Sequence, residues 1–317
     1  MKDALKSRFR GALVGSAVGD ALGAPVEGCT IEEVGSFYEN GWELKSHYTD
    51  DTEMMIGVAE SLIERHGFDG ADMARKFIRN YHAWRHYGPG TRAVLKWLKA
   101  GEHWEVASKR VFNGEGSYGN GAAMRIAPIG LFYHDDVDTL WEIAHKASHI
   151  THSHVLGKEG AAIQAYSVAL ALRGQREGML TSLGARIKEG IYRNKISKIE
   201  RLMDADRELL IEELGNDEAA FNSVPTAIYS FLRFHSFYES VVYAVSLGGD
   251  TDTIGAMTGA ISGAYYGEEA IPQEWLTALA KAEDEYAGSA SDEGGKVKGL
   301  RYIVWLADEL YRIKCDV

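Results

Sequence analysis

Residues 11–23 read GALVGSAVGDALG, with Gly11, Gly15, Gly19 and Gly23 each four positions apart. A four-residue step on an α-helix keeps a position on one side, so these glycines form a single stripe. Each glycine inside a helix costs about 0.5–1 kcal/mol relative to alanine. Such a cost is tolerable where a neighbouring backbone must come close. Residues 255–267, GAMTGAISGAYYG, repeat the step at Gly255, Gly259, Gly263 and Gly267. Both stretches are expected to be deeply buried helices that pack tightly, with each other as the candidate partner. Packing alone explains the glycines. Their further use is positional, because they bring Asp20 and Asp252 to the centre of the protein.

Working outward, the rest of the chain also reads as helix. Five prolines against 35 glycines, with long periodic segments and little strand-like alternation, indicate an all-α protein. The periodicity predicts helices over 7–23, 52–66, 71–84, 92–99, 137–148, 158–172, 196–214, 226–234, 238–246, 253–266, 273–286 and 300–313. In the second of these, Met54, Met55, Val58, Ala59, Leu62 and Ile63 form one buried face, and Gly67 is the expected stop. No proline-rich or low-complexity linker interrupts the 317 residues, so one domain over 1–317 is the simplest partition.

Composition narrows the function classes. Hydrophobic residues make up 45% and charged residues 25%, as in a globular chain rather than a disordered one. The net charge of −12 repels phosphate backbones and argues against a nucleic-acid partner. It also opposes a free nucleotide-like ligand, so a phosphate site here needs cations or aimed backbone N–H groups. Two cysteines, Cys29 and Cys315, make no disulfide framework and read as free thiols. Asp20 interrupts the first apolar run, so that run is a core helix rather than a signal peptide. No apolar run reaches the ~18–20 residues that span a membrane. A cytoplasmic monomer is the expectation.

Two acidic clusters could carry chemistry. Residues 47–53, HYTDDTE, place Asp50, Asp51 and Glu53 ahead of an apolar-periodic helix. An N-cap with acids in the first turn explains part of this. It explains the Thr-Asp-Asp-Thr run less well, since adjacent carboxylates repel. Residues 248–253, GGDTDT, place Asp250 and Asp252 before the second glycine stripe, with two glycines free to adopt φ > 0. The apolar helix that follows puts these acids near buried structure, where unpaired carboxylates are expensive. Threonine and aspartate oxygens from two such clusters suit one or two Mg2+ or Mn2+ ions.

Several motifs fall in order along the chain. They are Gly15-x-x-x-Gly19-Asp20-Ala21-Leu22-Gly23, Glu27, Tyr48-Thr49-Asp50-Asp51-Thr52, Gly119-Asn120-Gly121-Ala122-Ala123-Met124-Arg125, Thr151-His152 and Gly248-Gly249-Asp250-Thr251-Asp252-Thr253. Together, over residues 8–265, this pattern resembles the ADP-ribosylglycohydrolase family. The resemblance implies an all-α, compact orthogonal helical bundle with a central two-metal site. It implies that Thr49, Asp50, Asp51, Asp250, Asp252 and Thr253 hold two Mg2+ or Mn2+ ions. It also implies that Glu27 lies on a mobile loop beside them, with residues 25–48 as a flap. Gly119–Met124 reads as a glycine-rich phosphate cradle before a helix starting near Ala122. The resemblance makes Gly119, Asn120, Gly121, Ala122, Met124 and His152 contacts to the diphosphate and distal ribose.

Other histidines read more plainly. His149, His152 and His154 suit a polar turn between helices better than a zinc site, because no further ligand lies at zinc spacing. His134-Asp135-Asp136 resembles a helical phosphohydrolase dipeptide but reads better as a cap before the helix at Val137. One departure from the family stands out. The nitrogenase-regulating members carry an aspartate in a loop that here reads Tyr87-Gly88-Pro89-Gly90-Thr91-Arg92, without an acid. Hydrolysis at C1'' of an ADP-ribosyl group would then rest on the metals, Asp50 or Asp51, and Glu27. The substrate would be an ADP-ribosylated protein or an ADP-ribose-containing small molecule. A catalytically silent ADP-ribose binder and a metal-dependent nucleotide phosphohydrolase are the alternatives.

Overall fold

A computed structural model describes residues 2–289 and 298–315. Among them every regular element is a helix, and one isolated antiparallel bridge, Gly119 to Ala219, is the only extended pairing. The all-α expectation therefore holds.

The two glycine stripes face each other. The Lys2–Gly23 and Thr251–Tyr266 helices run antiparallel, pairing Gly11 with Gly263, Gly15 with Gly259 and Gly19 with Gly255. A methyl group added at Gly19 would lie 2.0 Å from the Gly255 carbonyl oxygen, and one added at Gly259 would lie 2.0 Å from that of Gly15. No side chain fits between these backbones. Gly267, the last member of the second stripe, sits outside the helix as its C-cap at φ +88°. At the other end, Gly23 meets Thr251, whose hydroxyl donates to the Gly23 carbonyl at 2.9 Å. The antiparallel pairing thus puts Asp20, at the end of the first helix, beside Asp250 and Asp252, at the start of the last glycine helix.

The Val155–Leu172 helix is buried along nearly its whole length, as is Thr251–Tyr266. Helices apolar on all sides belong in the middle of a fold. Ala220–Arg233, Phe237–Val245, Asp50–Arg65 and Leu300–Cys315 pack around this centre. Buried side chains from both ends of the chain join one continuous core. Arg10 makes a forked pair with Asp308 at 2.6 and 2.7 Å, tying the first helix to the last.

Several boundaries differ from the expected ones for identifiable reasons. The expected helix over 196–214 is broken into Gly190–Lys198 and Arg207–Leu214, the second capped by Asp206. The expected 71–84 helix ends at Asn80, because His82 and Tyr87 turn back to bond Glu53. The helix expected from Arg92 starts at Pro89, a residue preorganised for a first turn. Asp50–Arg65 ends with His66 in the left-handed region at φ 53°, one residue before Gly67.

Candidate active site

The site begins with how the Asp50–Arg65 helix is held. Thr49 is its N-cap, and its hydroxyl accepts from the Asp51 N–H at 3.4 Å. A second cap comes from the far end of the chain's first helix. The wholly buried Asp20 carboxylate accepts from the Thr49 N–H at 2.9 Å, the Thr52 N–H at 3.1 Å and the Thr52 hydroxyl at 2.6 Å. Burial pushes the Asp20 carboxyl up to about 6, against these hydrogen bonds. Glu53 serves the same helix differently. It accepts from the His82 N–H at 2.9 Å and the Tyr87 hydroxyl at 2.7 Å, and meets His82 Nδ1 at 2.6 Å. Its carboxylate is thus committed to fixing the segment from Tyr81 to Tyr87.

Asp50, Asp51, Asp250 and Asp252 meet from opposite sides of the glycine pair, and all four are buried. The Thr253 hydroxyl reaches Asp51 Oδ2 at 3.5 Å, and the Thr49 hydroxyl reaches the same oxygen at 3.3 Å. Oxygens of Glu27, Asp250 and Asp252 lie within 4.8 Å of one another. Burial and then the neighbouring carboxylates push Asp50, Asp51 and Asp252 well above the usual carboxylate range. Burial raises Asp250 to about 6. Asp250 holds the N-cap position of its helix, yet its side chain does not cap. It accepts from the Asn120 side-chain amide, which also donates to the Ser223 hydroxyl at 3.0 Å.

Glu27 follows the short turn Ala24–Val26 and is exposed. Its loop is stitched to the second cluster, with Gly28 N–H donating to the Gly249 carbonyl at 2.8 Å and Gly249 N–H donating to that of Cys29 at 2.9 Å. Gly248 and Gly249 take φ of +69° and +71°, as their place before Asp250 suggested. The stretch 25–48 is less flap-like than expected. It contains the helix Ile31–Phe37 with a Thr30/Glu33 capping box, and the buried Tyr38 stacks on Trp42 at 4.2 Å.

These acids form one end of a cleft of about 870 Å³. Its walls carry eight acidic side chains, Glu27, Asp50, Asp51, Glu115, Asp217, Glu218, Asp250 and Asp252, and among the described lining residues no lysine or arginine. Such a cleft disfavours a bare anion, which needs cations or aimed backbone N–H groups to bind there. Asp51 Oδ1 is buried without a hydrogen-bond partner among the described residues, which is costly unless an ion binds there. Carboxylates with threonine hydroxyls and no sulfur or clustered imidazole are the donor set of a hard divalent cation. The residues therefore fit Mg2+ or Mn2+. Thr49 is the exception among the expected ligands in not lining the cleft, although its hydroxyl touches Asp51.

Gly119, Asn120, Gly121, Met124 and His152 also line the cleft, with Asn120 in direct contact with Asp250. The phosphate-cradle expectation needs correction here. Residues Asn120–Ala122 form one 3-10 turn, and the next α-helix starts at Ala127. Gly119 N–H is spent on the Ser117 hydroxyl at 3.1 Å, and Asn120 N–H on the Glu218 carbonyl at 2.9 Å. Ala122 is fully buried and does not line the cleft. Gly121 matters for a different reason: a methyl there would lie 2.7 Å from the His152 ring. His152 is buried, its Nδ1 is 2.8 Å from the Thr151 hydroxyl, and burial pushes it down to about 3. It is a neutral imidazole at physiological pH. Beneath this turn, fully buried Arg125 donates to the Gly121 carbonyl at 2.9 Å, and burial lowers its guanidinium to about 9.

The remaining histidines go separate ways. His149 meets the Glu105 carbonyl at 3.0 Å, and His154 Nδ1 accepts from the Leu156 N–H at 3.1 Å as a helix cap. His134 meets the Leu131 carbonyl at 2.8 Å, Asp135 pairs with Lys314 at 2.7 Å, and Asp136 caps Val137–His149. None of these last three lines the cleft, which removes the geometric basis for a phosphohydrolase centre there. Sequence reasoning also missed two aromatic rings on the cleft wall, Phe112 and Tyr118, exposed at 59% and 52%. Phe112 and Asn113 both adopt positive φ in a turn ending at Gly114, and the Asn-Gly pair was the available signal.

The ADP-ribosylglycohydrolase family model matches residues 1–311. The chain belongs to the ADP-ribosylglycohydrolase family. The human relative "ADP-ribosylhydrolase ARH3" is 38% identical, covering 85% of this chain and 88% of the relative. The Rhodospirillum rubrum relative "ADP-ribosyl-[dinitrogen reductase] glycohydrolase" is 30% identical over 86% and 90%. A solved "ADP-ribosylglycohydrolase-related protein complex" superposes with a TM-score of 0.73 at 31% identity, covering 98% of this chain and 99% of the other. As a family member, this chain has the helical fold its glycine stripes suggested. Among the described residues, no helix is long and apolar enough to cross a membrane.

Proposed function

We propose that this chain is a divalent-cation-dependent hydrolase that cleaves the C1'' glycosidic bond of ADP-ribosyl groups on a protein side chain or a small molecule. One observation carries the reading. Among the described residues, buried acids from both ends of the chain converge across the glycine pair, leave Asp51 Oδ1 without a hydrogen-bond partner, and line a cleft that holds no lysine or arginine.

Thr49, Asp50, Asp51, Asp250, Asp252 and Thr253 would hold two Mg2+ or Mn2+ ions. When bound, such ions would orient the distal ribose hydroxyls and stabilise charge developing at the anomeric carbon. The protein's own groups do the rest. Asp50 or Asp51 takes a proton from the attacking water as its oxygen bonds to C1''. The bond from C1'' to the acceptor atom breaks, and Glu27 gives that atom a proton. The products are free ADP-ribose and the unmodified acceptor. Neutral His152 would meet the diphosphate and ribose beside Gly121 and Met124, with Arg125 beneath the turn supplying a buried positive charge. The exposed rings of Phe112 and Tyr118 offer π-faces on which adenine can stack.

The test is release of free ADP-ribose from serine-linked and arginine-linked ADP-ribosyl peptides, with Mg2+, with Mn2+ and with chelator. Metal-dependent release from either supports the reading and begins to name the acceptor. Release unaffected by chelator refutes the metal assignment. ADP-ribose binding without any turnover would instead fit a silent binder.

A further inference from the structure

His86 is held in an uncommon backbone state beside the cleft. Its φ is +64°, a left-handed conformation that a residue with a Cβ takes at a cost. Both neighbours hold it there. Arg85 is buried, donates to the Tyr48 carbonyl, and stacks on the Tyr48 and Trp84 rings at 3.6 and 4.1 Å. Tyr87 is buried and donates to Glu53 at 2.7 Å. The Arg85 carbonyl in turn accepts from the Asp50 N–H at 2.8 Å. The strained residue is therefore bolted to the first turn of the helix that carries Asp50 and Asp51. Its own side chain is left out of this packing. It is 53% exposed, lines the cleft, and places Nδ1 at 3.5 Å from Glu27 Oε2.

A glycine would fit the backbone with less strain, yet an imidazole stands here facing Glu27, the exposed carboxylate that meets Asp250 and Asp252. Strain that its neighbours over-determine, next to a reactive group, is the pattern of a functional position. We propose that His86 is a positioning residue for Glu27. Its imidazole holds the Glu27 carboxylate over Asp250 and Asp252, in the orientation needed for proton exchange with the leaving acceptor atom. At 3.5 Å the ring nitrogen lies at the outer limit of a hydrogen bond to that carboxylate. His86 lies next to Tyr87–Arg92, the loop without an acid, so a side chain from the same segment serves the site by another route. This inference rests on the proposed hydrolase reading.

The experiment compares His86→Gly, His86→Asn and Glu27→Gln, alone and combined, in the full-length protein with Mn2+. Glycine relieves the φ strain, so H86G should melt at or above the wild-type temperature. Its kcat should nonetheless fall by about 10- to 100-fold, the scale of a misplaced catalytic group, with KM nearly unchanged. Asparagine tolerates the same backbone and keeps a side-chain donor, so H86N should recover part of the lost kcat. H86G added to E27Q should cost little more than E27Q alone. An active wild type with H86G within twofold of it overturns the inference, as does full additivity with E27Q. A drop in kcat that only accompanies a lowered melting temperature overturns it too. Wild-type protein that releases no ADP-ribose from either peptide or from an O-acyl ADP-ribose ester overturns the hydrolase reading, and this inference with it.

Discussion

Gly19→Ala adds one methyl group where two helix backbones touch. The added carbon would lie 2.0 Å from the Gly255 carbonyl oxygen and 2.4 Å from its carbon. Neither atom can rotate away, since both belong to the facing backbone. Restoring an ordinary 3.4 Å contact requires the helices to part by about 1.4 Å. Overpacking a core usually costs ~1–3 kcal/mol. A gap of 0.5–1 Å already forfeits about a quarter to a half of each dispersion contact, so the gross cost here sits at or above the top of that range. Alanine returns ~1 kcal/mol of helix propensity. The net destabilisation is then ~2–4 kcal/mol, or a fall in melting temperature of roughly 3–6 °C for a chain of 317 residues. Gly35→Ala is the matched control. Gly35 lies inside the Ile31–Phe37 helix with nothing within 4 Å of an added methyl, so the same change should stabilise by ~0.5–1 kcal/mol. Urea titrations of both variants give the two signs directly. G19A within ~0.5 kcal/mol of wild type would refute the backbone-on-backbone packing.

The acidic cluster yields the remaining predictions. Asp252→Asn removes one of several mutually repelling buried charges, so the chelated variant should melt higher than chelated wild type. The rise in melting temperature on adding Mn2+ should shrink, and turnover should be lost; an unchanged metal response would remove Asp252 from the site. In chelator, wild-type stability should fall as pH rises. Asp20 and Asp250 titrate at about 6 when folded, and Asp50, Asp51 and Asp252 well above the 3.8 of a free carboxyl. A raised acid pKa favours the folded state fully below the unfolded value, and that advantage is lost as pH climbs through the folded one. Melting curves from pH 4 to 8 check the slope, and a flat chelated profile would contradict it. Phe112→Ala should weaken ADP-ribose binding by the ~1–3 kcal/mol typical of one base stacked on one ring, with little change in melting temperature, since its ring is exposed. Calorimetry showing unchanged affinity would remove the ring from the site.

Much of this was legible in the chain because the relevant signals are local and periodic. A four-residue glycine step survives as a pattern whatever surrounds it, and so do Thr-Asp-Asp-Thr and Gly-Gly-Asp-Thr-Asp-Thr. What stayed hidden depends on where separate segments meet. Asp20 stood in view as an acid among apolar residues, but its role as a second cap for the Asp50–Arg65 helix needs a contact with Thr49, 29 positions further along the chain. The Asn120 amide looked like part of a phosphate cradle, because nothing local shows that Glu218 takes its backbone N–H and Asp250 its side chain. Glu53 shared a motif with two cleft acids, yet helical geometry turns it toward His82 and Tyr87. His86 carried no motif at all; only its φ and its burial contrast with Arg85 and Tyr87 mark it.

The glycine pair and the acidic cluster answer a single physical problem. Bringing five buried carboxylates together is unfavourable in a protein without bound cations, as their raised titration shows. Loops joined by ordinary side-chain packing would relax and let the acids separate. Two helices locked backbone to backbone through Gly11, Gly15, Gly19, Gly255, Gly259 and Gly263 leave little room for that relaxation. Asp20, at one end of the lock, pins the helix carrying Asp50 and Asp51, while Asp252 rides on the first turn of the partner helix. On the proposed metal-dependent reading, the repulsion is held in the folded state as binding energy for a cation rather than dissipated by movement. By this argument G19A should weaken Mn2+ binding even in the fraction that stays folded, because parting the helices separates Asp252 from Asp51.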